Sequence, residues 1–259
     1  MTEALFTRID ANRFLASYLT EGPWQEGAMH GGAPAALVAH VVALAPSLAP
    51  MATSRITCEI VRPVPVKELT VEATVLREGK RIQVVDVTIR DATVAFVHAR
   101  ALRIRTSDIP EPTALTPPPA VPAAGTQGSF AGMVCAFTDE ASEIRFVEGS
   151  FHTRGPGFAW HRLLVDTVDG EPMFPESRAI AAADFGNGIS SLFDPQQVAF
   201  INPDLSLHSF RPPSGEWIGV ASTTRHAGSG SGLTESSMYD VTGGFGIALQ
   251  SLYLDERQQ

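Results

Sequence analysis

The stretch Met29-His30-Gly31-Gly32-Ala33-Pro34-Ala35-Ala36-Leu37-Val38-Ala39-His40-Val41-Val42-Ala43-Leu44 decides the fold. From Ala33 onward it is apolar on every side apart from His40, so it reads as a helix with no solvated face, which other elements must wrap. Pro34 suits the first helical turn, and Gly31-Gly32 let the chain turn tightly into it. The open N–H groups of that turn form a small electropositive site beside His30, suited to an oxyanion. A membrane span needs about 20 apolar residues. Here Pro34, His40, Pro46, Ser47 and Pro50 interrupt the run, which favours a buried core helix.

Strand patterns follow. Residues 56–61, 69–76, 82–89 and 95–104 alternate, with short turns at Glu78-Gly79-Lys80 and Arg90-Asp91-Ala92. A proline-rich stretch, 107–129, contains Pro110, Pro112, Pro117, Pro118, Pro119 and Pro122 and is expected to run extended over the surface as a linker. Beyond it the pattern repeats in residues 217–224, 232–239 and 245–254. Arg62-Pro63 and Arg211-Pro212 stand 149 residues apart, and the same ungapped offset pairs Val71 with Val220, Thr74 with Thr223, Gly79 with Gly228, Asp91 with Asp240, Phe96 with Phe245 and Ala99 with Ala248. That constancy indicates a duplication. The expected architecture is α+β, with two tandem units (1–106 and 130–259, joined by 107–129), each a curved antiparallel sheet wrapped around a central helix.

The composition, 44% hydrophobic and 18% charged over 259 residues, is that of a globular protein with a substantial core. A net charge of −9 argues against sequence-independent nucleic-acid binding. Cys58 and Cys135 are too few for a disulfide framework or a cysteine-based zinc site, and His161, His208 and His226 show no metal-ligand spacing. The N-terminal residues carry no basic segment followed by an apolar one, so a cytoplasmic protein without membrane insertion is expected. Gly228-Ser229-Gly230-Ser231-Gly232 lacks the lysine of a phosphate loop and reads as a hairpin turn, and no Gly-x-Ser-x-Gly elbow is present.

Several segments in order carry a family likeness: Gly22-Pro23-Trp24, His30-Gly31-Gly32, Ala182-Ala183-Asp184-Phe185-Gly186-Asn187-Gly188, Phe200-Ile201-Asn202-Pro203-Asp204, Phe210-Arg211-Pro212 and Leu249-Gln250. Together they resemble the double hot dog acyl-CoA thioesterases of the thioesterase II type, over about residues 15–254. The resemblance implies an acyl-CoA substrate, no cofactor and a homo-oligomeric enzyme. It also implies a catalytic set of an aspartate on the second central helix, a glutamine on the last strand and a threonine before the Arg-Pro strand. Asp184 and Gln250 match the first two. Counting back from Arg211-Pro212 puts Asn202 at the threonine position, a departure that leaves Thr223 and Ser206 open for that role.

The residues support this from below. Asp184 ends the apolar run 179–183, where a carboxylate must be paired, capped or solvated at a pocket. Gln250 shares a strand face with Gly246, Ala248 and Leu252 and replaces the Ala101 of the first unit, so its amide needs partners. His30 is either a helix-entry residue or a contact near the thioester, and is not assigned as a base. The implied chemistry has Asp184 activating a water that Gln250 orients, with the Gly31 and Gly32 region offering N–H donors to the oxyanion. Direct attack by Asp184 through a mixed anhydride stays open. So do a non-catalytic acyl-CoA or acyl-carrier binder and an acyl-CoA hydratase or dehydratase, the last needing a His–Asp or His–Glu pair that the sequence does not place.

The two units are not equivalent. Only the first helix has a Gly-Gly entry, and only the second ends in an aspartate, so the complementary location is expected to be apolar packing. One acyl-CoA analogue per chain is therefore predicted in calorimetry on the Asp184→Asn variant. A stoichiometry of two with equal affinities would contradict it.

Overall fold

In the computed structural model, residues 4–110, 113–129, 135–194 and 197–256 are described. Pro112 of the linker and the first three residues of the N-terminus, used above, lie outside them. The first half contains β1 (Ala4–Arg8), β2 (Arg13–Ala16), α1 (Gly32–Leu44), β3 (Met51–Ile60), β4 (Glu68–Arg77), β5 (Ile82–Arg90) and β6 (Ala95–Arg105). The second contains β7 (Thr126–Gln127), α2 (Ala136–Asp139), β8 (Ser142–Glu148), β9 (Gly157–Leu163), β10 (Asp166–Val168), α3 (Pro175–Ala183) and α4 (Gly186–Ile189). It continues through β11 (Val198–Ile201), β12 (Asp204–Ser209), β13 (Ile218–His226), β14 (Ser231–Asp240) and β15 (Gly243–Glu256).

The strands form one sheet in the order β10-β1-β2-β4-β5-β6-β3-β12-β15-β14-β13-β9-β8-β7, with β11 paired to β15. The halves join where β3 and β12 pair antiparallel, Cys58 opposite Leu205 and Ile56 opposite Leu207. All four side chains are buried, so the seam between the halves is also core. The sheet is antiparallel except at β1, which takes β10 of the second half as a parallel neighbour.

Helix α1 is apolar because it is enclosed: ten of its thirteen residues are buried, His40 among them. It touches β3, β5, β6 and β10 on the sheet and packs on α3. Helix α3 begins with Pro175 in its first turn and touches β9, β12, β13 and β14. No described helix is long and apolar enough to cross a membrane.

The linker is more structured than its prolines suggest. Thr126 and Gln127 pair with Phe146 and Arg145 as the last strand of the sheet, and the Trp160 indole N–H donates to Ala120 O at 3.0 Å. Gly125 and Gly128 make this approach feasible, because a Cβ at either would fall 2.7 Å from Arg145 Cβ or 2.4 Å from the Phe146 ring. These contacts hold the segment against β8 and β9.

One polar cluster ties the halves together inside this core. The Nε2 of His40 lies 2.8 Å from a Glu171 carboxylate oxygen, and Arg8 on β1 holds the same carboxylate with two N–H groups. Burial lowers the His40 pKa below its ordinary 6.5, against the pull of Glu171. The Arg8 bond, more than that of His40, overcomes partial burial and holds Glu171 at about 2, well below 4.5. The two groups act in different pH windows. As pH falls below about 6.5, the unfolded chain takes up a proton that folded His40 resists, so stability declines. Glu171 contributes stability that is complete above about 4.5 and is lost as pH falls toward 2. The predicted Tm is therefore level near neutrality and falls in both windows, and Glu171→Gln should flatten the lower one. Parallel curves for wild type and variant below 4.5 would rule out this carboxylate as the cause.

Candidate active site

His30 is pinned before α1 by backbone bonds. Its N–H donates to Thr20 O at 2.9 Å, and the neighbouring Met29 N–H donates to Val64 O at 2.8 Å. Its ring packs against Phe137 of α2, with centroids 4.8 Å apart, and against Phe185, at 4.6 Å, the two phenylalanines lying 6.0 Å from each other. The Nδ1 atom lies 2.9 Å from Oδ2 of Asp184.

The two glycines exist for close approach. A Cβ on Gly31 would fall 2.8 Å from Asp184 Oδ2, and one on Gly32 would fall 2.9 Å from Ala181 O and 3.1 Å from the Phe137 ring. Any side chain at either position would push the start of α1 off the end of α3. Their amides differ as well. The Gly32 N–H points at His30 Nδ1 at 3.2 Å and the Ala33 N–H donates to His30 O, whereas the Gly31 N–H donates to no group among the described residues. Of the two expected oxyanion donors, Gly31 is the open one and Gly32 is a packing residue.

Asp184 caps the C-terminal end of α3 and is 4% exposed. Its Oδ1 accepts a bond from Asn202 Nδ2 at 2.8 Å. Asn202 stands between β11 and β12 and reaches the carboxylate. The other two candidates for the threonine role do not: Ser206 donates to Thr57 Oγ1, and Thr223 alternates with the inward Ser222 and Thr224. Gln250 clamps the backbone behind the carboxylate. Its Oε1 accepts the Asn187 N–H at 3.0 Å and its Nε2 donates to Asp184 O at 3.2 Å, which holds the break between α3 and α4. Gly186 allows this, since a Cβ there would meet Gln250 Oε1 at 2.7 Å.

A buried hydroxyl lattice surrounds Gln250. Ser222 pairs with Ser236, Thr224 with Thr234, and Ser190 with Thr224, each at 2.7 Å. At the 149-residue offset, Val85 and Val87 of the first half correspond to Thr234 and Ser236.

His30, Gly31, Asp184 and Asn202, with Trp24 and Met29, line one cavity of ≈330 Å³. Cys58 is buried, and its thiol is pushed up to about 12 by burial first and by the Asp184 charge second, so it is no nucleophile at neutral pH. Burial, with a smaller contribution from the charge of His30, likewise lowers His161 to about 3. Its Nε2 meets Ser142 Oγ at 3.0 Å. No metal-binding cluster occurs among the described residues.

The location complementary to this cavity is not the apolar packing expected from the sequence asymmetry. His30 and Asp184 join the start of α1 to the end of α3, and Glu171 and His40 join the approach to α3 to the latter part of α1. Each crossing is an acid–imidazole pair, with the imidazole from the α1 side and the acid from the α3 side. In the second, His40 is fully buried and Arg8 holds Glu171, which is partly exposed. Sequence reading missed the His30–Asp184 contact and Phe137; the aromatic Phe185 directly after Asp184 was the available signal.

A family model for the acyl-CoA thioesterase N-terminal domain matches residues 20–104, and one for the C-terminal domain matches residues 112–254. No curated protein matches significantly. Among solved structures, a hot dog fold protein of Alicyclobacillus acidocaldarius superposes with a TM-score of 0.76 at 14% identity, over 97% of this chain and 96% of that one. The tesB protein of Mycobacterium avium subs paratuberculosis gives 0.69 at 15% identity, over 96% and 95%. An acyl-CoA thioesterase II from Mycobacterium marinum gives 0.67 at 14% identity, over 98% and 96%. These likenesses establish the hot dog fold. With both domain models matched in order across most of its length, the chain belongs to the acyl-CoA thioesterase family.

Proposed function

We propose that this chain hydrolyses an acyl-CoA to the free acid and CoA in the cavity at the α1–α3 contact, with Asp184 as the charged group that activates the water. The observation that carries this reading is the carboxylate itself: 4% exposed, on a cavity wall, held by Asn202 and His30 rather than by a lysine or arginine. A carboxylate is retained in such a place at a considerable desolvation penalty, which suits a group with chemical work to do. The cavity volume of ≈330 Å³ falls at the lower end of the range of about 300–1,000 Å³ for small-molecule sites.

In this reading the thioester carbonyl faces the Gly31 N–H, which stabilises the developing oxyanion. Asn202 fills the threonine role by fixing one oxygen of Asp184. Gln250 acts on the water indirectly, by fixing the backbone on which Asp184 stands. We take the tandem units as 1–106 and 130–259, joined by 107–129, whose β7 pairs with the second unit, and the enzyme as a cytoplasmic, cofactor-free homo-oligomer.

A second reading is favoured by one observation. An imidazole 2.9 Å from a carboxylate inside an acyl-thioester cavity also suits addition of water to a 2-enoyl thioester. Loss of enoyl absorbance without thiol release would select it, and tight acyl-CoA binding with neither reaction would select a non-catalytic binder.

Free-thiol release over a panel of acyl-CoA chain lengths tests the main reading. Asp184→Asn is expected to lower kcat by about 10³–10⁴-fold with the fold retained; a variant with wild-type kcat removes Asp184 from the mechanism. Gln250→Ala should lose about 10²-fold through misplacement of the carboxylate, and a loss under threefold would make Gln250 purely structural. Asn202→Thr should keep or raise activity. If it abolishes turnover in a folded protein, the site is built around the amide rather than a hydroxyl.

A further inference from the structure

Building on the thioesterase reading, we propose that His30 is the catalytic base of this site: its Nε2 takes the proton of the attacking water and returns it to the departing thiolate, and Asp184 acts through it. Geometry supplies the first argument. His30 Nδ1 lies 2.9 Å from Asp184 Oδ2, and beside an ionised carboxylate a protonated Nδ1 is favoured over a bare one. The Gly32 N–H approaches the same nitrogen at 3.2 Å, farther than the carboxylate, so we place the proton on Nδ1, facing Oδ2. Neutral His30 then presents a lone pair at Nε2.

The second argument is access. His30 lines the cavity, and its Nε2 bonds to no protein group among the described residues. Unlike Nδ1 of His40 and of His161, it is not sealed away from solvent. The third is rigidity. The ring packs against Phe137 and Phe185, and its backbone N–H is tied to Thr20 O, which restrains the direction of Nε2 before any ligand arrives. Asp184, by contrast, has both oxygens already engaged, Oδ1 by Asn202 and Oδ2 by His30.

The cycle balances without a co-reactant. The water oxygen bonds to the thioester carbon, the carbonyl π pair moves to oxygen, and the water proton goes to Nε2. Asp184 stabilises the resulting imidazolium, as a carboxylate does for an imidazole base. The oxyanion pair then re-forms the carbonyl, and the C–S bond breaks with its electrons on sulfur. The Nε2 proton passes to sulfur, giving carboxylic acid and thiol, and both residues return to their starting states.

His30→Gln tests this, because a glutamine amide can still donate to Asp184 but cannot carry a proton. In thiol release, kcat is expected to fall by about 10²–10⁴-fold with little change in KM. An acid limb in the wild-type kcat/KM profile should be absent from the variant's. A variant within threefold of wild type that keeps the same limb overturns the proposal and makes Asp184 the direct base. A wild-type chain silent toward every acyl-CoA overturns the thioesterase reading instead. The pair itself is then decided by ¹⁵N NMR of the imidazole in the unliganded wild-type protein, which also serves if His30→Gln fails to fold. A proton on Nδ1 with a bare Nε2 upholds the proposal, and a neutral ring with its proton on Nε2 overturns it.

Discussion

The structure depends on the start of α1 being able to touch the end of α3. Two residues without side chains make that contact feasible: Gly31 rests against the Asp184 carboxylate, and Gly32 against Ala181 O and the Phe137 ring. Because the helices meet there, an imidazole from one half and a carboxylate from the other come within 2.9 Å. The cavity, the open Gly31 amide and the bond from Asn202 all assemble around that pair. A methyl group at Gly31 would disturb the site more directly than the loss of most of its polar side chains, since a Cβ there would collide with the carboxylate at 2.8 Å.

The duplicated halves have diverged in where their buried polar groups lie. Val85, Val87 and Ala101 are buried and apolar on the α1 side, while the buried pair Gln83 and Arg103 binds the chain at the end of α1 through Pro46 O and Ala45 O. The corresponding positions beneath α4 are Thr234, Ser236 and Gln250, all buried and all bonded to partners. A buried polar network is worth having only if every member is satisfied. Here it holds a helix break in one conformation, which a set of valines could not do by packing alone. The first half contributes the loop that presents His30.

What could be read from the chain in advance was what depends on local pattern. The buried helix followed from an apolar run without a polar face, the meanders from alternation, and the second copy from a constant offset. Asn202 was reachable by counting from Arg211-Pro212, because the strand between them runs without interruption. The rest depends on packing between segments far apart in sequence. Phe137 stacks on His30 from a stretch with no motif, and Glu171 meets His40 across 131 residues. The Gly-Gly pair was legible as a tight entry to a helix. That one of the two serves contact with a carboxylate and the other contact with a second helix is a property of the assembled α1–α3 interface.

The parallel pairing of β1 with β10 bears on how the chain is made. Strand β1 lies at the N-terminus, and its neighbour in the sheet, Asp166–Val168, is synthesised more than 150 residues later. Until then the edge of β1 opposite β2 has exposed backbone donors and acceptors, the kind of template on which other chains can pair. The Arg8–Glu171–His40 cluster forms only when that late segment docks, because it too needs residues from both ends of the interval. The nascent first half is therefore a vulnerable species during translation, and closure of its edge waits for the ribosome to deliver the approach to α3.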